Sequence, residues 1–220
     1  MTRRHSIAPR RVFFDLETGG LDPNEHPIIQ IAAVSFDDQW QQLERFEVKL
    51  QFDEADCDPD ALKKVHYDRR LWNKHAVHPL TAHKRFSYFL REHATVEKVS
   101  RAKSVPYYVA QLFAHNAHFD AGFLWAWHDR LRAQEPSLFL PADRRVICTL
   151  QTALIFFDQD RSRHFSRPID YRLGTLCEYF RIPFSTNEAH DAAYDALVTA
   201  LLYHSIMTGK EHSLEPSLAA

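Results

Sequence analysis

The chain of 220 residues has only five glycines and three cysteines, and no apolar run approaches the roughly 18 residues of a membrane span. The cysteines are far apart and form no CxxC pair, which favours free thiols in a reducing compartment. The basic tail at residues 1–10 lacks the apolar core of a secretory signal. Fourteen histidines are present, but His115 and His118 have no matching pair that would complete a four-ligand zinc site. We therefore expect a cytoplasmic globular protein without a membrane segment.

The charge is small overall but uneven along the chain. The formal net charge is −2, so composition alone does not indicate a nucleic-acid partner. Residues 56–104 contain eleven Lys and Arg against six Asp and Glu, a net of +5, which leaves −7 for the rest. The spacing of Phe86, Phe89, Leu90 and His93 predicts a helix within this segment. The segment is either a solvated helical face or a basic wall along which a phosphate backbone would lie.

Two acidic residues end the first apolar run, "VFFDLETGG" at residues 12–20. Side chains two apart on a strand share a face, so Asp15 and Glu17 would repel each other unless a cation lies between them. A divalent cation fits because hard cations prefer carboxylate oxygens. Gly19 and Gly20 follow and predict a turn that needs either positive φ or a close backbone approach.

Apolar periodicity predicts one domain over residues 11–207, followed by a flexible tail at 208–220. The first three runs have short connections and predict an antiparallel meander. The strands of that meander are expected at 11–17, 28–36 and 43–52. The pattern then predicts a strand from 108 that breaks at Asn116, a helix over 119–134, a strand over 144–150, a polar loop over 158–170, a short helix before Pro183 and a long helix over 190–207.

The remaining acidic candidates lie at element ends. Asp120 begins the helix after "AHNAHF", while Asp191 and Asp195 lie on the last helix next to His190. An Asp at a helix N-terminus is commonly a cap, and a lone His before a helix is commonly a surface residue. The alanines around Asp195 indicate that its helix packs closely against a neighbour.

Three segments together resemble a known family. "FFDLETGGLDP", "AHNAHFDAGFL" and "HDAAYDALVTALL" are similar, in order and spacing, to the three motifs of the DnaQ-like, or DEDDh, 3′–5′ exonuclease superfamily. The resemblance covers about residues 11–207 and implies an α/β, ribonuclease H-like fold, a mixed five-stranded sheet flanked by helices. Residues 56–104 fit the family pattern poorly and are interpreted as a helical basic insertion. Many members have ETTG where this chain has ETGG, a change that keeps the turn but removes one hydroxyl.

The resemblance implies a 3′–5′ exonuclease that hydrolyses phosphodiester bonds with two divalent cations, Mg²⁺ or Mn²⁺. It makes His190 the general base, which suits an imidazole that titrates near neutral pH. It also selects Asp195 rather than Asp191 as the last acid, and Asp15 would bridge the two cations. The implied metal ligands are Asp15, Glu17, Asp120 and Asp195.

Further positions are implied to bind the terminal nucleotide. Leu21 or a neighbour would wedge beneath the last base, and Glu17 or Thr18 would contact the 3′-OH. For Phe119, packing in the core is an alternative to stacking on a base. The implied substrate-binding residues are Thr18, Gly19, Gly20, Leu21, Asn116 and Phe119.

Several alternatives remain open at this level. The expected partner is the 3′ end of a nucleic acid, with single-stranded DNA favoured and RNA or short oligonucleotides as the alternative. A haloacid-dehalogenase-like phosphatase also has spaced acids after a strand, but there the spacing is Asp-x-Asp and a late His-x4-Asp is not expected. A non-catalytic binding module would not need all five functional positions. A homodimer could form through a patch at Trp72 and residues 86–89.

Overall fold

A mixed five-stranded sheet lies at the centre of the computed structural model, which describes residues 8–100, 102–159 and 167–209. Its spatial order is β3-β2-β1-β6-β7, and a separate two-stranded sheet pairs β4 with β5. The strands are β1 Arg11–Thr18, β2 Ile28–Phe36, β3 Gln42–Lys49, β4 Val96–Val99, β5 Pro106–Val109, β6 Leu112–Ala114 and β7 Ile147–Cys148. The predicted tails up to residue 7 and from residue 210, and residues 160–166 of the predicted loop, lie outside the described residues.

Helices cover both faces of this sheet. None of the described helices combines the length and the apolar character that crossing a membrane requires. The helices are α1 Pro59–Lys64, α2 Arg69–His75, α3 Pro79–Glu92, α4 Ala117–Gln134, α5 Thr149–Gln159, α6 Leu173–Tyr179 and α7 Ala192–Thr208. The expected α/β architecture, a mixed five-stranded sheet flanked by helices, is therefore confirmed.

The two faces of β1 explain why the sheet is buried. Successive side chains of a strand point to opposite faces, so Phe13 and Phe14 belong to different layers. Phe14 packs in the cluster that includes residues of α3 and α4, whereas Phe13 packs with Ala196 and Ala200 of α7. Small side chains on α7 allow this close approach, as the alanine pattern around Asp195 predicts. Burial on both faces makes β1 and β2 near-continuous apolar runs.

The strand directions decide where functional side chains can meet. The first three strands form the expected antiparallel meander, and β1 is parallel to β6. Because β1 and β6 run in the same direction, their carboxyl ends lie at one edge of the sheet. The chain reaches α4 directly after β6, so the start of α4 lies at that same edge.

Three elements differ from the sequence-based expectations. The strand expected from 108 to Asn116 is divided between β5, in the two-stranded sheet, and β6, in the five-stranded sheet. The segment 56–104 contains the helices α1 to α3, but its end forms β4, which pairs with β5 as an antiparallel hairpin. The strand expected over 144–150 is only β7, and α5 begins immediately at Thr149. Ala153 and Phe157 of α5 are fully buried against α6 and α7. This packing depends on segments distant in the chain, so the local pattern does not reveal it.

Most of the predicted dimer patch is wrong, because Trp72, Phe86 and Phe89 belong to the interior of the monomer and Tyr88 is its one exposed aromatic residue, at 62%. Trp72 is 5% exposed, Phe86 is fully buried and Phe89 is 2% exposed. The Trp72 Nε1 donates a hydrogen bond to the Leu50 carbonyl oxygen at 3.1 Å, which fixes the indole beneath the sheet. A homodimer therefore stays a prediction without a surface assigned to it.

Two histidines form a buried pair between α3 and α4. The His83 Nε2 and His128 Nδ1 atoms lie 2.8 Å apart, and the rings stack with their centroids 5.1 Å apart. His83 is fully buried, and burial together with the His128 charge lowers the pKa of His83 to about 4. Burial also lowers the pKa of His128. Both rings are therefore neutral in the folded protein at pH 7.

We expect this pair to make the fold sensitive to acid. Because the pKa of His83 is lower in the folded chain than in the unfolded chain, the unfolded state binds more protons below about pH 6.5. The contribution of His83 to stability is then complete near pH 7 and falls as the pH drops towards 4, by on the order of 2 kcal/mol. Urea unfolding at pH 7 and pH 4.5 measures this loss.

The matched variants are His83→Gln and His75→Gln. Glutamine retains hydrogen-bonding groups but cannot take up the proton, so His83→Gln should reduce the loss of stability between the two pH values. His75 is exposed at the end of α2, so its substitution should leave that difference unchanged. An undiminished acid loss in His83→Gln would show that other groups cause it.

Candidate active site

A cavity of about 350 Å³ opens at the sheet edge where β1 and β6 end. It brings together side chains that are as far as 180 residues apart in the sequence. Strand β1, the first turn of α4 and the start of α7 each contribute to its wall. The predicted chemical residues that line it are Asp15, Glu17, Asp120, His190 and Asp195.

The first two carboxylates lie at the end of β1, as the two-residue period predicts. Asp15 lies opposite Ala32 and Glu17 lies opposite Gln30 on the neighbouring strand β2. The pairing register shifts directly after Glu17, which ends the regular strand at the cavity. Glu17 is only 8% exposed, so its carboxylate is held within the protein and faces the other acids.

Asp120 connects α4 to the first strand. Its Oδ1 accepts a hydrogen bond from the Leu16 backbone N–H at 3.2 Å, and the residue is 3% exposed. Asp120 is therefore not the helix cap considered from the sequence, because Asn116 occupies the N-cap position of α4. The bond to β1 holds the Asp120 carboxylate beside Asp15 and Glu17.

The two acids at the start of α7 have different roles, because Asp191 caps the helix and Asp195 does not. Asp191 is the N-cap of α7, and its Oδ1 accepts from the backbone N–H groups of Ala193 and Tyr194 at 2.9 and 3.2 Å. Asp195 lies one turn later and faces the cavity. Its Oδ2 accepts from the His190 N–H at 3.2 Å, while its Oδ1 is buried without a hydrogen-bond partner.

His190 has an uncommon backbone conformation. Its φ of 67° is in the left-handed region, which non-glycine residues seldom adopt and which is often found at functional sites. One ring nitrogen of His190 and one oxygen each from Glu17 and Asp195 lie within 4.8 Å of one another. The strained backbone thus turns the imidazole towards the carboxylates.

Burial and mutual repulsion raise the pKa of every acid in this group. Burial, followed by the charges of the other three, raises the pKa of Asp15 well above its usual value. Burial and then the Asp195 charge raise the pKa of Glu17 to about 9. Burial raises the pKa of Asp120 to about 7 and that of Asp195 to about 6. Four carboxyl groups are therefore crowded where their full ionisation is unfavourable.

These groups fit divalent cations. The buried, unpartnered Oδ1 of Asp195 and the crowded carboxylates offer several oxygen donors to a hard cation. Cations would favour the ionised forms that burial opposes. His115 does not offer a free ring nitrogen to a cation, because its two ring nitrogens contact the Thr149 hydroxyl and the Tyr171 carbonyl, each at 2.9 Å.

Five of the six predicted substrate positions line the cavity, and Gly19 does not. Leu21 is 82% exposed, so an apolar side chain projects from the rim, as a wedge would require. Phe119 is half-buried and contacts Phe123 of the core at a ring distance of 4.9 Å. The lining positions are Thr18, Gly20, Leu21, Asn116 and Phe119.

The two glycines are needed for contacts within the chain. Neither glycine has a positive φ. Of the two reasons that the sequence offered for them, a close approach to the backbone is therefore the one that applies. A Cβ on Gly20 would lie 2.2 Å from a ring carbon of His26, and one on Gly19 would lie 2.5 Å from the Cys57 sulfur. Gly19 is therefore required for packing within the chain, and its contact with the substrate stays a prediction. Its carbonyl accepts from the Asp58 N–H at 2.6 Å, which ties the start of α1 to this turn.

Sequence reasoning missed the contribution of α1. Lys64 lines the cavity, together with Asp58 and Asp60. Of the described basic residues in 56–104, Lys64 alone does so, which does not match a basic wall beside the acids. The four-residue spacing of Asp60 and Lys64 on one helical face was the available signal.

Comparisons with known proteins identify a family that this chain matches. The family model described as Exonuclease (RNase_T) matches residues 12–102 and 89–203. The first range runs through most of the helical segment, which the resemblance had left outside the family pattern. A protein named Ribonuclease T from Marinobacter nauticus is 30% identical over 206 residues, which cover 89% of this chain and 81% of that protein. A protein named DNA polymerase III subunit epsilon from Treponema pallidum is also 30% identical and covers 93% of this chain and 83% of its own length.

A solved structure has the same fold. The crystal structure of E. coli Exonuclease I in complex with a dT13 oligonucleotide superposes with a TM-score of 0.64 at 15% identity. The match covers 92% of this chain but 41% of the Exonuclease I chain, so this chain spans about two fifths of that protein. At this identity the likeness concerns the fold alone.

Proposed function

This chain belongs to the DnaQ-like 3′–5′ exonuclease family, and we propose that it removes nucleotides from the 3′ end of single-stranded nucleic acid, with DNA favoured. The observation that carries the proposal is the convergence of four carboxylates and one histidine in a single cavity. The proposed place of action is the cytoplasm, which suits three free cysteines.

Repulsion within the cavity supports a metal-dependent reaction. The raised pKa values of the four acids mean that the protein by itself does not compensate their charges. We propose that Asp15, Glu17, Asp120 and Asp195 hold two divalent cations, Mg²⁺ or Mn²⁺. Bound there, the cations would lower the pKa of water and neutralise charge on the phosphate.

His190 is proposed as the general base. Burial and the nearby charges of Lys64 and His66 lower its pKa, so the imidazole is neutral at pH 7 and can accept a proton. A ring nitrogen takes the proton of the attacking water while the water oxygen bonds to phosphorus. The bond from phosphorus to the 3′ oxygen of the preceding nucleotide then breaks, which releases a nucleoside 5′-monophosphate.

The proposed preference for DNA over RNA is argued from the relatives and from the rim of the cavity. Likeness to a DNA polymerase III epsilon subunit supports DNA. Likeness to Ribonuclease T supports RNA as the second candidate. The exposed Leu21 and the open rim suit an unpaired end in either case, because a base can splay onto an apolar side chain.

The test uses matched 5′-labelled single-stranded DNA and RNA with Mg²⁺, Mn²⁺ or EDTA. The proposal expects a ladder that shortens from the 3′ end, requires a divalent cation and proceeds faster on DNA. A faster RNA ladder would reverse the substrate preference only. Release of phosphate from small monoesters without shortening of either strand would contradict the exonuclease proposal.

A further inference from the structure

A second cavity adjoins the candidate active site. It has a volume of about 740 Å³ and a mainly apolar wall that includes Leu150, Leu173 and Phe184. The two cavities share several lining residues, so these residues form the boundary between them. The shared residues are Lys64, His115, Asn116, His190 and Asp195.

The shared residues mark where a single-stranded nucleic acid must cross from one cavity to the other. If the terminal nucleotide occupies the first cavity, the preceding nucleotides lie in the second, larger one. The phosphodiester that joins them then passes the boundary between the cavities. His190 and Asp195 lie at this boundary, as hydrolysis of that bond requires.

Lys64 is the cation at this boundary. Among the described residues, Lys64 is the one Lys or Arg that lines the first cavity. The second cavity is lined by Lys64 and by Arg172. The Lys64 side chain is exposed, and its amine has no ion pair within the described part of the chain. The preceding residue, Lys63, is instead paired with Asp60 at 2.8 Å. Lys64 is therefore a free positive charge beside the path of the backbone.

The segment that carries Lys64 is fixed in place. The bond from the Asp58 N–H to the Gly19 carbonyl anchors the start of α1, and Val65 is buried with Ile29 and Trp72 after its end. The electrostatics agree with this proximity. Burial raises the pKa of Glu17 and of Asp195, and the Lys64 charge opposes that rise in both.

We propose that Lys64 binds the phosphate that joins the terminal nucleotide to the preceding one. This inference rests on the proposed function, because it places the scissile bond at the boundary of the two cavities. A cation at that position attracts the substrate phosphate and offsets the charge that develops there during the reaction. Lys64 therefore contacts the substrate and does not merely balance the acidic cluster.

The experiment measures binding and uses Lys64→Gln with Lys63→Gln as the matched control. Both variants remove one charge from α1, but only Lys64 lines the cavities. Calorimetry with Ca²⁺ present measures the Kd for thymidine 5′-monophosphate, which carries the former scissile phosphate, and for thymidine, which lacks it. We expect Lys64→Gln to weaken binding of the monophosphate by roughly tenfold and to leave thymidine binding unchanged. Lys64→Arg should restore binding to within about threefold of the original.

A second measurement follows the salt dependence of binding to a single-stranded oligonucleotide. Loss of one phosphate contact should reduce the slope of log K against log salt by about 0.7 in Lys64→Gln. Equal effects of the two glutamine variants, or equal losses for thymidine and its monophosphate, would overturn the role of Lys64. If the wild-type protein shortens oligonucleotides and Lys64→Gln binds the monophosphate as tightly as the wild type does, this inference alone would be overturned. Wild-type protein that neither binds the monophosphate nor shortens DNA or RNA would overturn the proposed function together with it.

Discussion

Replacement of Asp15 with asparagine is expected to abolish hydrolysis while making the metal-free protein more stable. Asp15 lies among the three other carboxylates, and burial together with the charges of Asp120, Glu17 and Asp195 opposes its ionisation. Without Asp15, the proposed cation site loses one of the four carboxylates that would hold the metal. Cleavage should fall roughly 10³-fold or more, because several kcal/mol of charge stabilisation at the phosphate is lost.

The stability part of this prediction follows from the direction of the pKa shifts. Each carboxyl has a higher pKa in the folded protein than in the unfolded chain, so the folded state binds more protons as the pH rises above about 4. The contribution of these carboxyl groups to stability is then present at low pH and is lost as the pH rises through the raised values, about 6 for Asp195, 7 for Asp120 and 9 for Glu17. Asp15→Asn removes one source of repulsion, so its Tm in EDTA at pH 8 should exceed that of the wild type by a few degrees.

Three measurements check this result together. Oligonucleotide shortening with Mg²⁺ reports activity, thermal unfolding in EDTA reports stability, and binding of a single strand in EDTA should be retained. The control is Asp38→Asn, an exposed turn residue between β2 and β3 that should alter none of them. An active Asp15→Asn protein would refute the metal assignment, and a lower Tm would refute the repulsion argument.

Replacement of His190 should cause the second largest loss. Asparagine accepts the left-handed backbone better than most residues, so His190→Asn removes the imidazole without forcing the loop to change. We expect kcat/KM to fall about 10²- to 10⁴-fold, the usual contribution of a general base. The Tm should change little, since His190 is only half-buried.

The pH profile and chemical rescue separate this role from a structural one. With saturating Mg²⁺, which favours the ionised acids, the lowered pKa of His190 predicts that wild-type kcat/KM declines below about pH 6.5 and that His190→Asn reduces this decline. Added imidazole should partly restore a His190→Gly variant. His75→Asn, at an exposed position, serves as the control. A His190→Asn enzyme with an unchanged acidic limb would exclude His190 as the base.

The sequence by itself determined the features that depend on local periodicity. A two-residue spacing at the end of a buried strand was enough to predict that Asp15 and Glu17 face the same side. Alternating and helical patterns were enough for the meander and for the last helix, and the three motifs together were enough for the family. These features follow from side chains that are neighbours along the chain, so one pass along the sequence reveals them.

Only the tertiary structure decided which distant segments meet. Parallel pairing of β1 with β6 brings Asp120 to Glu17, and packing of α7 across the sheet brings His190 and Asp195 to the same edge. Packing of α2 and α3 against the sheet buries aromatic residues that the sequence allowed as a dimer surface. The place of α1 beside the cavity selects Lys64 from a basic segment. Contacts of this kind depend on how whole faces fit together. Local spacing carries no information about the partner across the core.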